Sequence, residues 1–227
     1  MKKNCIVIPI HNECRTIGPL VKSLIPKGLD VIVVDDGSSD FSGKIARQHG
    51  AYVIVNNMKQ GKGMSLKKGF AYALERDYGG VITMDGDGQH DVSDIDLFVA
   101  QIQAQPDCII AGSRMGNSQG MPPIRFLTNY FMSFLISGLC RRRIPDTQCG
   151  FRYIGAEVLR NIQLQSNDFE IETEVLVKAS RKGYPIYSLP IKTIYRNEKS
   201  KINPLKDTAR FIVYILKEIV GDRASPK

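Results

Sequence analysis

Short apolar runs alternate with longer stretches of mixed polarity along the first half of the chain. Residues 4–10, 31–34, 51–55, 81–84 and 108–111 are runs rich in Val and Ile, too short for core helices, and they read as buried strands. Between them, 15–25, 41–49, 64–75 and 93–105 read as helices, the second preceded by Ser38, Ser39 and Asp40 as caps. This alternation predicts an α/β fold: a mostly parallel central sheet with helices on both faces. Further on, 123–140 reads as a helix opened by prolines and apolar over much of its circumference. A helix with acids in its first turn starts near 169, a strand covers 184–194, and an amphipathic helix covers 205–220.

The polar residues cluster by a rule. Pro9-Ile-His-Asn-Glu13, Asp35-Asp-Gly-Ser38, Lys59-Gln-Gly-Lys-Gly63, Asp85-Gly-Asp-Gly-Gln-His90 and Gly112-Ser-Arg114 each lie just after the carboxyl end of an expected strand. In an open α/β sheet that edge is where ligands bind. An apolar strand that runs into Asp85 and Asp87 cannot bury them and must deliver them to the edge. Hard oxygen donors at this spacing suit Mg²⁺ or Mn²⁺, which keep several waters and take one or two carboxylates plus substrate phosphates. Gly86 and Gly88 are expected to let the backbone approach a ligand. Alone, Asp-x-Asp also reads as an acidic surface turn. Gly61-Lys-Gly63 has Leu66 where a dinucleotide loop needs its third glycine, and it lacks the hydroxyl residue of a Walker loop.

Composition narrows the class. At 227 residues the chain suits one large α/β domain with at most a small appendage. Five cysteines, at 5, 14, 108, 140 and 149, show no Cys-x-x-Cys spacing and are odd in number, which argues against zinc and disulfide frameworks and fits a reducing cytosol. No apolar stretch is long enough to span a bilayer, and the N-terminus is a poor signal peptide. A net charge of +8 points to an anionic partner: nucleic acid, an acidic membrane or a phosphorylated small molecule.

Taken together, Pro9-Ile-His-Asn-Glu13, Val34-Asp-Asp-Gly-Ser38, Gly61-Lys-Gly63, Met84-Asp-Gly-Asp-Gly-Gln-His90, Gly112-Ser-Arg114 and Asp146-Thr-Gln-Cys-Gly-Phe-Arg152 resemble the family-two glycosyltransferases of GT-A fold. Within these the sequence is similar to the dolichol-phosphate mannosyltransferase and polyprenyl-phosphate glycosyltransferase branch. The resemblance implies a Rossmann-like nucleotide-diphospho-sugar transferase domain over 1–203, followed by an amphipathic helix and tail over 204–227.

It also implies roles. Pro9, His11, Glu13, Asp35 and Asp36 would hold the nucleoside, His11 standing where the family often has Tyr. Asp85 and Gly86 would face the ribose or donor sugar, and Asp87 and Gln89 would ligate Mg²⁺ or Mn²⁺ on the diphosphate. Lys62, Arg114, Arg196 and Lys201 would complete the donor site, although the loop carrying the last two is one residue tighter than the family's and lacks its glycine. Arg125 would touch a lipid phosphate, joining Asp85, Asp87 and Arg114 as catalytic groups. The implied reaction is inverting transfer of a hexose from GDP-mannose or a UDP-hexose to polyprenyl phosphate, an acceptor already anionic that needs no general base. Transfer to a saccharide hydroxyl, or a silent sugar-nucleotide or membrane-binding module, are the alternatives. Nucleic acid is not an expected partner. The implied location is the cytoplasmic face of a membrane, reached peripherally through 123–140 with Arg141, Arg142 and Arg143 on anionic headgroups. A deeply buried core helix is the competing reading of that segment.

Overall fold

The computed structural model describes residues 2–116, 120–194 and 214–215. β1 (Cys5–Ile10) pairs in parallel with β2 (Asp30–Asp35) on one side and β4 (Gly80–Thr83) on the other, and β3 (Tyr52–Val55) extends the sheet beyond β2. β5 (Ile109–Ser113) carries β7 (Ile186–Pro190) in parallel at the far edge. Between β4 and β5 lies β6 (Arg152–Gly155), antiparallel to both, so the seven strands run in the order β3-β2-β1-β4-β6-β5-β7.

Alternate residues of each strand face opposite sides of a sheet, and here each side has its own core. Cys5, Val7, Ile32 and Val34 pack with α3 (Lys62–Glu75) and with Ile136 of α5 (Pro123–Leu139), Val158 of α6 (Ala156–Asn161) and Val175 of α7 (Ile171–Arg181). Ile6, Ile8, Val31 and Val33 pack instead with α1 (Ile17–Leu24), Ala46 of α2 (Ser42–Gln48) and Phe98 of α4 (Ile95–Ala104). The expected α/β architecture is therefore present. Two elements differ from expectation: β6 was not legible as a strand, and β7 is shorter than 184–194. The helix expected over 205–220 lies outside the described residues except for Tyr214 and Ile215, which are helical, with Ile215 buried in the first core.

Candidate active site

β4 runs into the acidic turn 85–88 at the carboxyl edge of the sheet. Gly86 is there because the turn lies on the end of β1: a Cβ at this position would meet Ile10 Cγ2 at 2.6 Å. The Gly86 carbonyl accepts from Thr16 Oγ1 at 2.7 Å, so packing on β1 is what requires this glycine. Asp85 is clamped from three sides. Oδ1 lies 2.6 Å from Lys62 Nζ, Oδ2 lies 3.5 Å from His90 Nε2, and a Cβ on Gly150 would fall 2.6 Å from Oδ2. Burial works to raise the Asp85 carboxyl, but Lys62 and then His90 outweigh it and hold it far below the usual carboxylate range.

Lys62 is the first residue of α3, and its ammonium also meets Glu172 Oε1 at 2.8 Å, with the Phe169 ring 5.6 Å away. Burial works to lower its pKa, but Asp85 and Glu172 raise it, so the cation is permanent at working pH. Asp87 is treated differently. Its Oδ1 accepts from the Gln89 backbone N–H at 2.9 Å, and it forms no ion pair among the described residues. Burial, then the neighbouring Asp85, push its carboxyl up. Two carboxylates one residue apart thus differ: Asp85 is ion-paired with Lys62, and Asp87 forms no ion pair among the described residues.

The residues expected to hold a nucleoside gather where β1 and β2 end side by side. Pro9 is in register with Val34, and His11 Nδ1 lies 2.9 Å from the Asp36 carbonyl oxygen. The Glu13 carbonyl starts the turn into α1, accepting from Thr16 and Ile17, while Glu13 Oε2 lies 3.4 Å from Thr16 Oγ1. Asp35 Oδ1 takes the Ser38 N–H. Asp36 has a structural role as well. Oδ1 accepts from Asn56 Nδ2 and the Gln60 N–H, and Oδ2 accepts from the Gly61 N–H at 2.9 Å, so its carboxylate anchors the loop that leads into Lys62. Burial works to raise the Asp36 carboxyl, and these donors together hold it low.

Gly61 and Gly63 also have a packing reason. A Cβ on either would meet the backbone of 167–168 at 2.5–2.6 Å, and Met64 N–H donates to the Asn167 carbonyl. The loop before α7 therefore lies directly on the start of α3.

Arg114 follows β5 at the expected edge, but its guanidinium is taken by Asp146, with Nε to Oδ2 at 2.7 Å and Nη2 to Oδ1 at 3.0 Å. Both side chains are buried. Arg114 thus cross-links β5 to the segment before β6. Arg125 is half-buried in the first turn of α5 and makes no ion pair among the described residues. Arg196 and Lys201 lie outside the described residues. Three participants escaped sequence reasoning: Glu172, His90 and the fully buried Arg152. His90 carried a signal in its place in the acidic turn and Arg152 in closing the 146–152 motif, whereas Glu172 was visible as one of several acids at the start of a helix.

A family model described as glycosyl transferase family 2 matches residues 5–163, which include all of β1 to β6. A UDP-N-acetylglucosamine–dolichyl-phosphate N-acetylglucosaminyltransferase of Methanococcus voltae is 30% identical over 84% of this chain and 85% of its own. An undecaprenyl-phosphate mannosyltransferase of Micrococcus luteus is 27% identical over 84% and 83%. Among solved structures, glucosyl-3-phosphoglycerate synthase from Mycobacterium tuberculosis, determined with Mg²⁺ and uridine diphosphate, superposes with a TM-score of 0.73 at 18% identity, covering 100% of this chain and 81% of that one. With a matched family model over most of its length and the edge cluster in place on a GT-A sheet, this chain belongs to glycosyl transferase family 2 and is a glycosyltransferase.

Proposed function

We propose that the protein transfers a hexose from a nucleoside diphosphate sugar to polyprenyl phosphate, with inversion and with a divalent cation. The observation that carries this reading is the contrast within the acidic turn: Lys62 forms an ion pair with Asp85, while Asp87 is held partly buried and forms no ion pair among the described residues. A carboxylate in that state fits a hard cation. The described residues contain no group of three His, Cys, Asp or Glu ligands, as suits Mg²⁺ or Mn²⁺ held by Asp87 and Gln89 with diphosphate oxygens and water completing the shell. When bound, such an ion neutralises charge on the departing diphosphate.

The chain's own groups do the rest. Pro9, His11, Glu13 and Asp35 shape the nucleoside pocket. Asp85, fixed as an anion by Lys62 and His90, faces the donor sugar and accepts from its hydroxyls or those of the ribose. Arg125, which makes no ion pair among the described residues and lies at the start of α5, receives the acceptor phosphate, and Arg196 and Lys201 add positive charge to the donor side. A phosphate acceptor brings its own negative charge, so in-line attack at the anomeric carbon needs no base. Two relatives carry names that join sugar transfer to dolichyl or undecaprenyl phosphate, which supports this acceptor class. No described helix is long and apolar enough to cross a membrane, so access to a lipid would come through the exposed face of α5.

The test is a transfer assay with GDP-mannose and UDP-hexoses, each offered polyprenyl phosphate or an oligosaccharide, with Mg²⁺, Mn²⁺ or chelator. Chelator-sensitive formation of a lipid-linked sugar is expected. Removing the metal-facing carboxylate in Asp87→Asn costs about 3 kcal/mol or more in the barrier, roughly a hundredfold in rate, with the fold intact. Chelator-resistant turnover overturns the metal assignment, and product on the oligosaccharide alone overturns the lipid acceptor.

A further inference from the structure

We infer that Arg152 is a positioning residue for the transfer reaction, acting on Asp85 through the loop 147–150 and the first turn of α7. The side chain is 1% exposed in the middle of the sheet, between Thr83 of β4 and Ala111 of β5. Its guanidinium forms no ion pair among the described residues, and the Glu172 carboxylate goes to Lys62 instead. Its donors end on three backbone carbonyls: Nε on Cys149 at 2.7 Å, Nη2 on Thr147 at 2.6 Å, and Nη1 on Glu172. Burying a charge without a counter-ion is costly, and an apolar side chain would fill the same space at lower cost. A planar fork, however, ties two backbone segments, the loop 147–150 and the first turn of α7, at fixed angles, which neither an apolar group nor a lysine does.

Those carbonyls belong to the two walls around Asp85. On one wall, the loop held through Thr147 and Cys149 brings Gly150 so close to Asp85 Oδ2 that a Cβ would sit 2.6 Å away, and Thr83 Oγ1 holds the Gly150 carbonyl at 2.8 Å from the other side. On the other wall, the Glu172 carbonyl is held by Arg152 while the Glu172 carboxylate holds Lys62, which grips Asp85 Oδ1. One guanidinium behind the site therefore fixes both the wedge and the clamp on this carboxylate. The inference rests on the proposed role of Asp85 at the donor sugar.

A double-mutant cycle tests it: Arg152→Lys and Asp85→Asn, singly and together, assayed for transfer well below each variant's melting temperature. Misplacing a group that orients substrate costs on the order of a hundredfold in kcat. The expected result is such a loss for Arg152→Lys, an unchanged Kd for Mn²⁺ with GDP or UDP by calorimetry, and a double variant no slower than Asp85→Asn alone. Thr83→Val, which loosens Gly150 without touching a charge, should show the same coupling and serves if Arg152→Lys does not fold. Fully additive losses, or wild-type kcat in both Arg152→Lys and Thr83→Val, overturn the inference. Wild-type transfer by Asp85→Asn instead overturns the reading of Asp85 on which it rests.

Discussion

Lys62 Nζ stands 2.6 Å from Asp85 Oδ1, joining the start of α3 to the acidic turn after β4. The same ammonium reaches Glu172 at the start of α7, so a single half-buried cation holds two carboxylates from distant parts of the chain.

Replacing Lys62 with Met removes the cation that Asp85 and Glu172 share, leaving His90 beside Asp85. Asp85 has a depressed pKa in the folded protein, so losing Lys62 moves it upward and its anion is lost at a higher pH as the medium is acidified. The acid limb of the kcat/KM profile should shift to higher pH. Stability should fall by about 1–3 kcal/mol, the cost of leaving partly buried polar groups unpaired. An unchanged pH profile in a folded Lys62→Met enzyme would show that Asp85 is not the group being held.

The alternation of strands and helices was legible because apolar period and turn residues report local structure, and the five edge clusters followed from it. β6 was not legible: it is four residues long, it opens with a buried Arg152, and its last residue, Gly155, is also the N-cap of α6, so no loop separates the two. The clamp was hidden for another reason. Lys62, Asp85 and Glu172 are brought together only by tertiary packing, and nothing in the local pattern of Phe169 to Glu174 separates the glutamate that reaches the site from those serving the helix. The part Asp36 plays in anchoring the loop before Lys62 was not legible either, because its donors are mostly backbone N–H groups, which every sequence possesses.

Gly63→Ala separates packing from ligand approach as the reason for a glycine. The added Cβ would lie 2.6 Å from the Asn167 carbonyl carbon, so either the loop before α7 or the start of α3 must move. Overpacking of this kind costs about 1–3 kcal/mol. The loss should appear in urea denaturation of the protein without any ligand. Wild-type stability with weakened donor binding would instead return this glycine to the ligand.

Asp146→Asn breaks the buried fork on Arg114 and leaves a guanidinium without its charge partner, at a cost of about 3–5 kcal/mol near neutral pH. Burial works to raise the Asp146 carboxyl, but Arg114 outweighs it and the folded pKa is depressed. The stabilisation is therefore fully present above the unfolded pKa, near 4, and is lost as pH falls through the lower folded value. Melting temperatures of wild type and Asp146→Asn should converge only below about pH 4. A constant gap down to pH 2 would place the pair's worth in geometry rather than charge.

α5 presents its residues the wrong way round for a helix that meets only water. Its buried positions include Asn129 and Ser133, the latter bonded to Thr147, while Ile124, Leu127, Tyr130, Phe131 and Phe134 are each more than half exposed. The core-helix reading does not survive those exposures. Arg141, Arg142 and Arg143 are exposed at the helix's end and line a shallow groove with Phe134 and Leu135. Apolar insertion supplies about 25 cal/mol per Å² buried, and each basic residue near an anionic surface adds roughly 1 kcal/mol, enough together for reversible docking. Sedimentation with liposomes should therefore carry the wild type down with anionic lipid, less with neutral lipid, and less again at high salt. Phe131→Asp should lower binding to both lipids, since it removes apolar area. Changing Arg141, Arg142 and Arg143 to Glu should abolish the preference for anionic lipid and leave transfer to a detergent-dissolved polyprenyl phosphate intact, because these residues lie about 25 Å along the helix axis from its first turn, at 1.5 Å per residue. Wild type that stays in the supernatant with both lipids would remove membrane docking and make a soluble saccharide the better acceptor.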